Sequence, residues 1–323
     1  MKRRDFLQQS AALSAAAGLS EIVTGAAVVN GADNADAGVP TVYFTKDITP
    51  EKLVELYEKL GRKLDGKVAV KVHSGEPNGK HFIQPEFMKP LVDSVQGTIV
   101  ECNTAYEGRR FHTADHWKVV EEHGFTKIAA VDILDEEGEM ELPVANGKQI
   151  QVNFVGSHLS RYTSILVLSH FKGHLMGGFG GALKNLSIGL ASGRGKGLIH
   201  GAGDPAHMWD CEQDRFLEAM ADACRSVVDR FPENLVYLNV MKDLSIDCDC
   251  DSNPHAPEMA DIGILASLDP VALDQACVDQ VYRSEDKGKA SLIHRMEEKH
   301  AIHILEAAEE LQIGSRKYRL VMC

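Results

Sequence analysis

Ser164-Ile165-Leu166-Val167-Leu168-Ser169-His170-Phe171-Lys172-Gly173-His174-Leu175-Met176-Gly177-Gly178-Phe179-Gly180-Gly181-Ala182-Leu183-Lys184-Asn185 decides the reading of this 323-residue chain. Its first five residues form a continuous apolar strand of the kind buried on both faces of a sheet. The strand runs into Ser169-His170, a glycine-rich turn follows, and a helix opens that has Lys184 in its first turn.

The same strand-then-helix alternation extends both ways. Upstream, Thr41 to Phe44 reads as a strand. Pro50 to Leu64 reads as a helix, with Thr49 as N-cap and Pro50 at its first position. Lys67 to Val72 is a strand rich in β-branched residues that ends at His73-Ser74-Gly75. Pro85 to Ser94 is helical, Gly97 to Cys102 is a strand ending at Asn103, and Thr113 to His123 is a helix stopped by Gly124. Ile128 to Asp132 is a strand, and so is Gln149 to Val155 after a turn at Asn146-Gly147. Downstream, Asp214 to Phe231 is helical, and Leu235 to Met241 and Ala260 to Ala266 are strands. Asp269 caps a helix from Val271 to Tyr282 that Pro270 opens. Ser291 to Leu311 reads as one helix, and Lys317 to Met322 as a closing strand. Strands alternating with helices predict an α/β fold with a mostly parallel or mixed sheet flanked by helices. Residues 38–323 form either a single α/β domain or two lobes with a cleft, the boundary falling near 205–235. His73, Asn103 and His170 each fall at or just past a strand end. Ligands of open α/β sheets bind outside the carboxyl ends of the strands, so these three mark one rim.

Composition narrows the function. A net charge of −13 repels nucleic acid phosphates and anionic headgroups, and no Lys/Arg run follows the N-terminus. Apolar residues at 44% and charged ones at 25% are those of a globular body. No segment after the N-terminus has the length of a membrane span. The seven cysteines include no Cys-x-x-Cys pair, which removes the usual spacing of iron–sulfur clusters and zinc ribbons.

The chain opens Met1-Lys2-Arg3-Arg4-Asp5-Phe6-Leu7, a twin arginine followed by Phe-Leu. With the mildly apolar Ala11 to Leu19 and a small-x-small site at Ala35-Asp36-Ala37, this resembles a twin-arginine export signal. Residues 1–37 are then an address read by the twin-arginine translocation machinery, the protein is periplasmic or otherwise extracytoplasmic, and no stable membrane span remains after cleavage. An ordinary amphipathic N-terminal helix is the other reading of the same stretch.

The glycine-rich segment carries the chemistry. Five glycines between 173 and 181 strip side chains from the backbone and let N–H groups approach an anion. The helix that follows adds partial positive charge at its N-terminus. A first-turn lysine there does not serve the helix dipole; a bound anion or a covalent role accounts for Lys184 better. His170 and His174 flank the loop, and His200 ends a second glycine-rich stretch, Ser192 to Gly201. Each histidine alone reads as a hydrogen-bonded structural ring, but the group reads as a site for metal binding or acid/base work. His73 and His170 are expected on a cofactor or anion, with the backbone of Gly177, Gly178, Gly180 and Gly181 beneath it.

Asp247-Cys248-Asp249-Cys250-Asp251 precedes Pro254-His255. Thiols one residue apart make a strained disulfide with each other but can both reach one metal, whose shell the carboxylates and His255 would complete. An acidic surface turn is the other reading, and the spacing leaves both open.

Val70 to Gly75, Glu101 to His116, Leu168 to Gly189 and Asp247 to Val278 resemble the family named domain of unknown function 362. Gly177 to Asn185 and Asp261-Ile262-Gly263-Ile264-Leu265-Ala266-Ser267 with Asp269-Pro270-Val271-Ala272 are its most specific parts. Many members carry a ferredoxin-like insert; its cysteines are missing here, so no iron–sulfur ferredoxin module is expected. His174, Gly180-Gly181-Ala182-Leu183-Lys184 and His200 also stand in the order of the nickel-pincer lactate racemases. That fainter resemblance implies Lys184 as a cofactor anchor, His200 as a metal ligand, His174 as an acid/base, and His112 or His116 as its partner base. The expectation is an exported enzyme that depends on a transition metal ion or metal-containing cofactor and acts on a small anionic ligand. The alternative is a non-catalytic metal- or anion-binding protein using Cys248, Cys250 and His255.

Overall fold

A computed structural model describes residues 26–28, 38–251 and 255–323. Apart from Ala26–Val28, the expected export signal lies outside the described residues. The strands are β1 (Ala26–Val28), β2 (Thr41–Thr45), β3 (Val68–Lys71), β4 (Thr98–Glu101), β5 (Val131–Ile133), β6 (Glu139–Pro143), β7 (Val152–Gly156), β8 (Ser164–His170), β9 (Lys172–His174), β10 (Gly178–Gly180), β11 (Leu235–Met241), β12 (Gly263–Ser267) and β13 (Tyr318–Met322). The α-helices are α1 (Pro50–Lys59), α2 (Pro85–Ser94), α3 (Thr113–Glu122), α4 (Ala182–Leu190), α5 (Gly193–His200), α6 (Gln213–Arg230), α7 (Pro270–Arg283), α8 (Lys289–Glu298) and α9 (His303–Glu310).

Nine described strands form one sheet in the order β1-β13-β2-β12-β11-β8-β3-β4-β5. Only β12 among them runs against its neighbours, pairing antiparallel with both β11 and β2. The sheet is therefore mixed, and α/β is its class.

Side chains alternate across the two faces, as a pleated strand requires. Ile165 and Val167 of β8 and Tyr237 and Met241 of β11 join the core under α4, α6, α7 and α9. Leu166, Leu168, Val236, Leu238 and Val240 join the opposite core, under α1, α2 and α3. Burial on both faces is why these strands read as unbroken apolar runs.

Three local departures from the sequence reading have identifiable causes. The single helix expected over Ser291 to Leu311 is two, α8 and α9. His300 adopts a left-handed φ of 48°, and the N–H of Ala301 reaches back to the carbonyl of Met296 at 2.8 Å, the signature of a helix C-terminus. The second glycine-rich stretch, for which no helix was expected, is helix α5, capped by Ser192, whose side chain accepts from the N–H of Gly195. Glycine is needed there because a Cβ on Gly195 would lie 2.0 Å from the carbonyl oxygen of Phe154 on β7. The Asn146-Gly147 turn belongs to a β6–β7 hairpin whose first strand carries charged residues and gave no apolar signal.

Helix α7 starts as the sequence predicts. The carboxylate of Asp269 accepts from the N–H of Ala272 (2.9 Å) and, through its other oxygen, from that of Ser315 (2.9 Å). Asp269→Ala removes the cap and orphans the Ser315 N–H. It should destabilise the chain by about 2 kcal/mol, read as a lower urea midpoint at unchanged slope.

Candidate functional site

The carboxyl ends of β4, β3, β8 and β11 lie side by side on one rim. Over them sit the β9–β10 hairpin, the starts of α4 and α5, and the chain that follows β11. The large cavity so formed has a volume of about 90 Å³. A single water needs about 10–15 Å³ by the same measure, so the space suits a small molecule rather than a bare ion. Its charged and histidine lining is Lys71, His73, Glu101, Arg110, His174, Lys184, Lys196 and His200, with Cys250 beside His174 and Met208 and Trp209 contributing apolar surface. A smaller space adjoins it, sharing His73, Lys184 and Asn185 and adding His170, Lys172, Gly180, Gly181, Cys248 and Asp249.

A buried ionic network holds the large cavity. The Glu101 carboxylate accepts from Lys71 Nζ (2.7 Å), from the Ser74 N–H (2.8 Å) and from Arg110 Nη1 (3.2 Å). Arg110 also donates to Glu76, and its Nη2 lies 3.2 Å from His73 Nε2. Burial by itself would raise the Glu101 carboxyl, but Lys71 and Arg110 hold it well below the usual carboxylate range. Burial and then the guanidinium keep the His73 ring far below the ordinary histidine range. On the other side, the Asp249 carboxylate pairs with Lys172 and with Nδ1 of His170 (3.0 Å). Burial would raise this acid as well, and Lys172 and His170 more than reverse it.

Lys184 stands apart. Among the described residues its Nζ has no hydrogen bond and no ion pair, although it lines both spaces. Burial, followed by Lys172 and Lys71, pulls its pKa down to about 7. His200 donates from Nδ1 to the Lys196 carbonyl (2.7 Å) and stacks on Phe216, which leaves the lone pair on Nε2. Burial lowers its pKa to about 4.

His73, His174, Lys184 and His200 therefore meet at one cavity, drawn from four separate parts of the chain. His170 is at the adjoining space, but both its ring nitrogens already face acceptors, Asp249 and the Lys242 carbonyl. Other expectations need correction. The four glycines part ways: Gly180 and Gly181 line the smaller space, whereas the Gly177 N–H donates to Nδ1 of His174 (2.9 Å) and Gly178 packs toward Ala301. The N-terminus of α4 is filled by the chain itself. Asp274 of α7 accepts from the N–H of Ala182 (2.8 Å) and of Leu183 (2.9 Å), and glycine at 181 is required because a Cβ would meet that carboxylate at 2.4 Å.

His112 is exposed beside Phe111. His116 is buried on Asn103 (3.1 Å), with burial taking its pKa to about 3. Neither lines the cavity. Asn103 is likewise used in structure, donating to Thr113 (2.8 Å). His255 is exposed and bonded to Asp247 (2.7 Å) instead of joining the cysteine pair. His174 takes that place: its ring nitrogen and the sulfurs of Cys248 and Cys250 lie within 4.8 Å of one another, the one such group among the described residues. The two sulfurs are joined as a disulfide. Lys71, Glu101, Arg110, Lys172 and Lys196 carried no site reading in the sequence, and Asp249 did so only as a carboxylate of the cysteine loop. Lys71 and Glu101 had a signal, since each is a charge inside a strand otherwise apolar enough to be buried on both faces.

The chain belongs to the family described as "Domain of unknown function (DUF362)", whose model matches residues 68–279. No functionally curated protein matches it. Similar solved structures include the lactate racemase apoprotein from Thermoanaerobacterium thermosaccharolyticum, at 15% identity and a TM-score of 0.37 over 66% of this chain and 52% of that one. A protein from Thermotoga maritima is similar at 12% identity and a TM-score of 0.41, over 81% and 58% respectively. The chain thus covers little more than half of either.

Glu101 offers a direct check of the ionic network. Its folded pKa is depressed, so the stability it confers is complete above the unfolded carboxyl value of about 4.3 and is lost as pH falls below that toward the folded value. Glu101→Gln leaves Lys71 and Arg110 buried without their shared anion and should lower stability at pH 7 by about 3–5 kcal/mol. Denaturant melts from pH 7 to pH 3 should show wild-type stability falling below about pH 4.5, and a shallower fall in the variant.

Proposed function

We propose that this DUF362 member is an enzyme that binds a small anionic substrate in the large cavity and moves a proton on it. The observation that carries this reading is the charge of the lining. Lys71, Arg110, Lys184 and Lys196 face the cavity against one carboxylate, Glu101. Glu101 and the neighbouring Glu76 neutralise Lys71 and Arg110. Lys196 donates only to the Ala191 carbonyl (2.5 Å), and Lys184 to nothing among the described residues. Buried cations without counter-ions are costly, and an anionic ligand supplies the missing charge.

The same groups supply acid/base chemistry. An amine with a pKa near 7 is divided between ammonium and free base at neutral pH, which is where a general acid or base works best. Around it, His73 and His200 stay neutral, and the free Nε2 face of His200 can orient the substrate.

Dependence on a metal-containing cofactor is the finer form of this reading. The donor set fits one: an unpaired amine on Lys184 and the Nε2 lone pair of His200 line the same space. Such a group would bring Lewis-acid or electron-sink chemistry, and these residues would anchor and orient it. Extracytoplasmic placement through the twin-arginine route belongs to the same proposal, as does the absence of nucleic acid among the partners. No described helix is long and apolar enough to cross a membrane.

Calorimetric titration with inorganic phosphate and with acetate tests the anion reading. The charged form of Lys184 attracts the ligand, so the affinity for acetate, whose own charge is constant over this range, should fall about tenfold from pH 6 to pH 8 as the amine loses its proton. Lys172, Lys71, Asp249 and Arg110 are the charges around it. Lys184→Met should bind weakly with a flat pH profile; equal binding by both proteins would remove the proposal. Intact-mass and metal analysis of chain purified from its natural host tests the rest. A mature chain starting near residue 38, an adduct on Lys184 and one metal lost in His200→Ala are the expected results.

A further inference from the structure

The cysteine pair has no part in the acid/base reading, yet it forms part of the wall between the two spaces. Cys250 lines the large cavity and Cys248 the smaller one. The other five cysteines are unpaired thiols. We propose that Cys248–Cys250 is a redox-active disulfide that exchanges with a carboxylate-bearing small thiol in the cavity, with His174 stabilising the thiolate of Cys250. The choice of a carboxylate-bearing thiol rests on the anion reading; the exchange itself does not.

The residue between the two cysteines holds them in place. Asp249 is fixed through its side chain by Lys172 and His170 and through its carbonyl by the N–H of Glu76 (2.9 Å). The Asp251 N–H closes a turn onto the Cys248 carbonyl (2.9 Å). These anchors do not involve the sulfurs, so the turn keeps its position in the dithiol form.

His174 is oriented by backbone. Its Nδ1 accepts from the N–H of Gly177 (2.9 Å) and of Met176 (3.3 Å), so a neutral ring carries its proton on Nε2. That nitrogen lies 4.0 Å from the Cys250 sulfur. An N–H aimed at sulfur favours a thiolate. A metal ion would instead need a lone pair on Nε2, which the Gly177 and Met176 donors deny it. The geometry therefore selects thiol chemistry over ligation.

The exchange balances. A thiolate RS⁻ attacks the Cys250 sulfur; the Cys248–Cys250 bond breaks, its electron pair leaves on Cys248, which takes a proton, and a mixed disulfide Cys250–S–S–R forms. A second RS⁻ attacks the R-bearing sulfur, RSSR departs, and Cys250 leaves as a thiolate facing the His174 N–H. Two small thiols are oxidised and the pair is reduced; RSSR reverses both steps.

Full-length chain prepared without reductant should show five free thiols after denaturation and seven after reduction. In the native state, glutathione redox buffers should drive a reversible 2-Da change confined to the peptide holding Cys248 and Cys250. Mercaptoacetate should reduce the pair faster than cysteamine, its cationic counterpart. Equal rates would overturn the carboxylate preference while leaving the exchange standing, and phosphate binding by Lys184→Met reports separately on the anion reading. His174→Gln should slow alkylation of the reduced pair at pH 7 about tenfold, one pKa unit of lost thiolate, at an unchanged melting temperature. Seven thiols in the unreduced chain overturn the proposal. So does a disulfide that yields only on unfolding, or one zinc held by the reduced chain and lost in Cys248→Ser.

Discussion

The carboxylate of Asp274 is the interaction on which the site depends. It reaches from α7 to the first N–H groups of α4 and accepts from the side chain of Asn239 on β11 (2.7 Å), so two helices and a central strand meet at one buried charge. Burial lifts its pKa to about 6, against the pull of those donors. Because the chain satisfies the positive end of α4 from within, the helix offers nothing to an external anion there. What it offers is Lys184, carried in its first turn and left without a hydrogen bond or ion pair among the described residues.

From that constraint the charges fall into two sets. Lys71, Arg110 and Lys172 are neutralised by acids of the chain itself, and they build the walls. Among the described residues Lys184 and Lys196 are not, and they give the cavity its sign. A buried ion pair is weak support for stability, since desolvation offsets much of the attraction. A buried unpaired lysine is a sharper sign of function, because nothing in the fold compensates for it.

The sheet was legible because its strands are buried on both faces, and long runs such as Ile165 to Leu168 have few alternatives. The convergence of His73, His170, His174, Lys184 and His200 on one rim was legible in part, through strand ends and glycine. Satisfaction of hydrogen bonds was not. Sequence cannot tell that Asp274, some ninety residues beyond Lys184, occupies the helix end, or that Asp249 takes up His170. Nor can it tell that His174 and not His255 lies against the cysteines, since a ring at 174 and a loop at 250 meet only once β8 and β11 are paired. Helix α5 was missed for a local reason: glycines needed for close approach to β7 also erase the helical pattern.

The reversed strand β12 has a consequence for how the molecule is made. On one side of it lie β11, β8, β3, β4 and β5; on the other, β2, β13 and β1. The early strand β2 is bridged to the larger group only through β12, which lies more than two hundred residues later, and its other partner, β13, lies at the end of the chain. During synthesis β3, β4, β5 and β8 can assemble in order as they emerge, while β2 must wait, unpaired, until β12 has been made. Its docking is a late step of high contact order, and until then the edge of the half-built sheet stands open to mispairing.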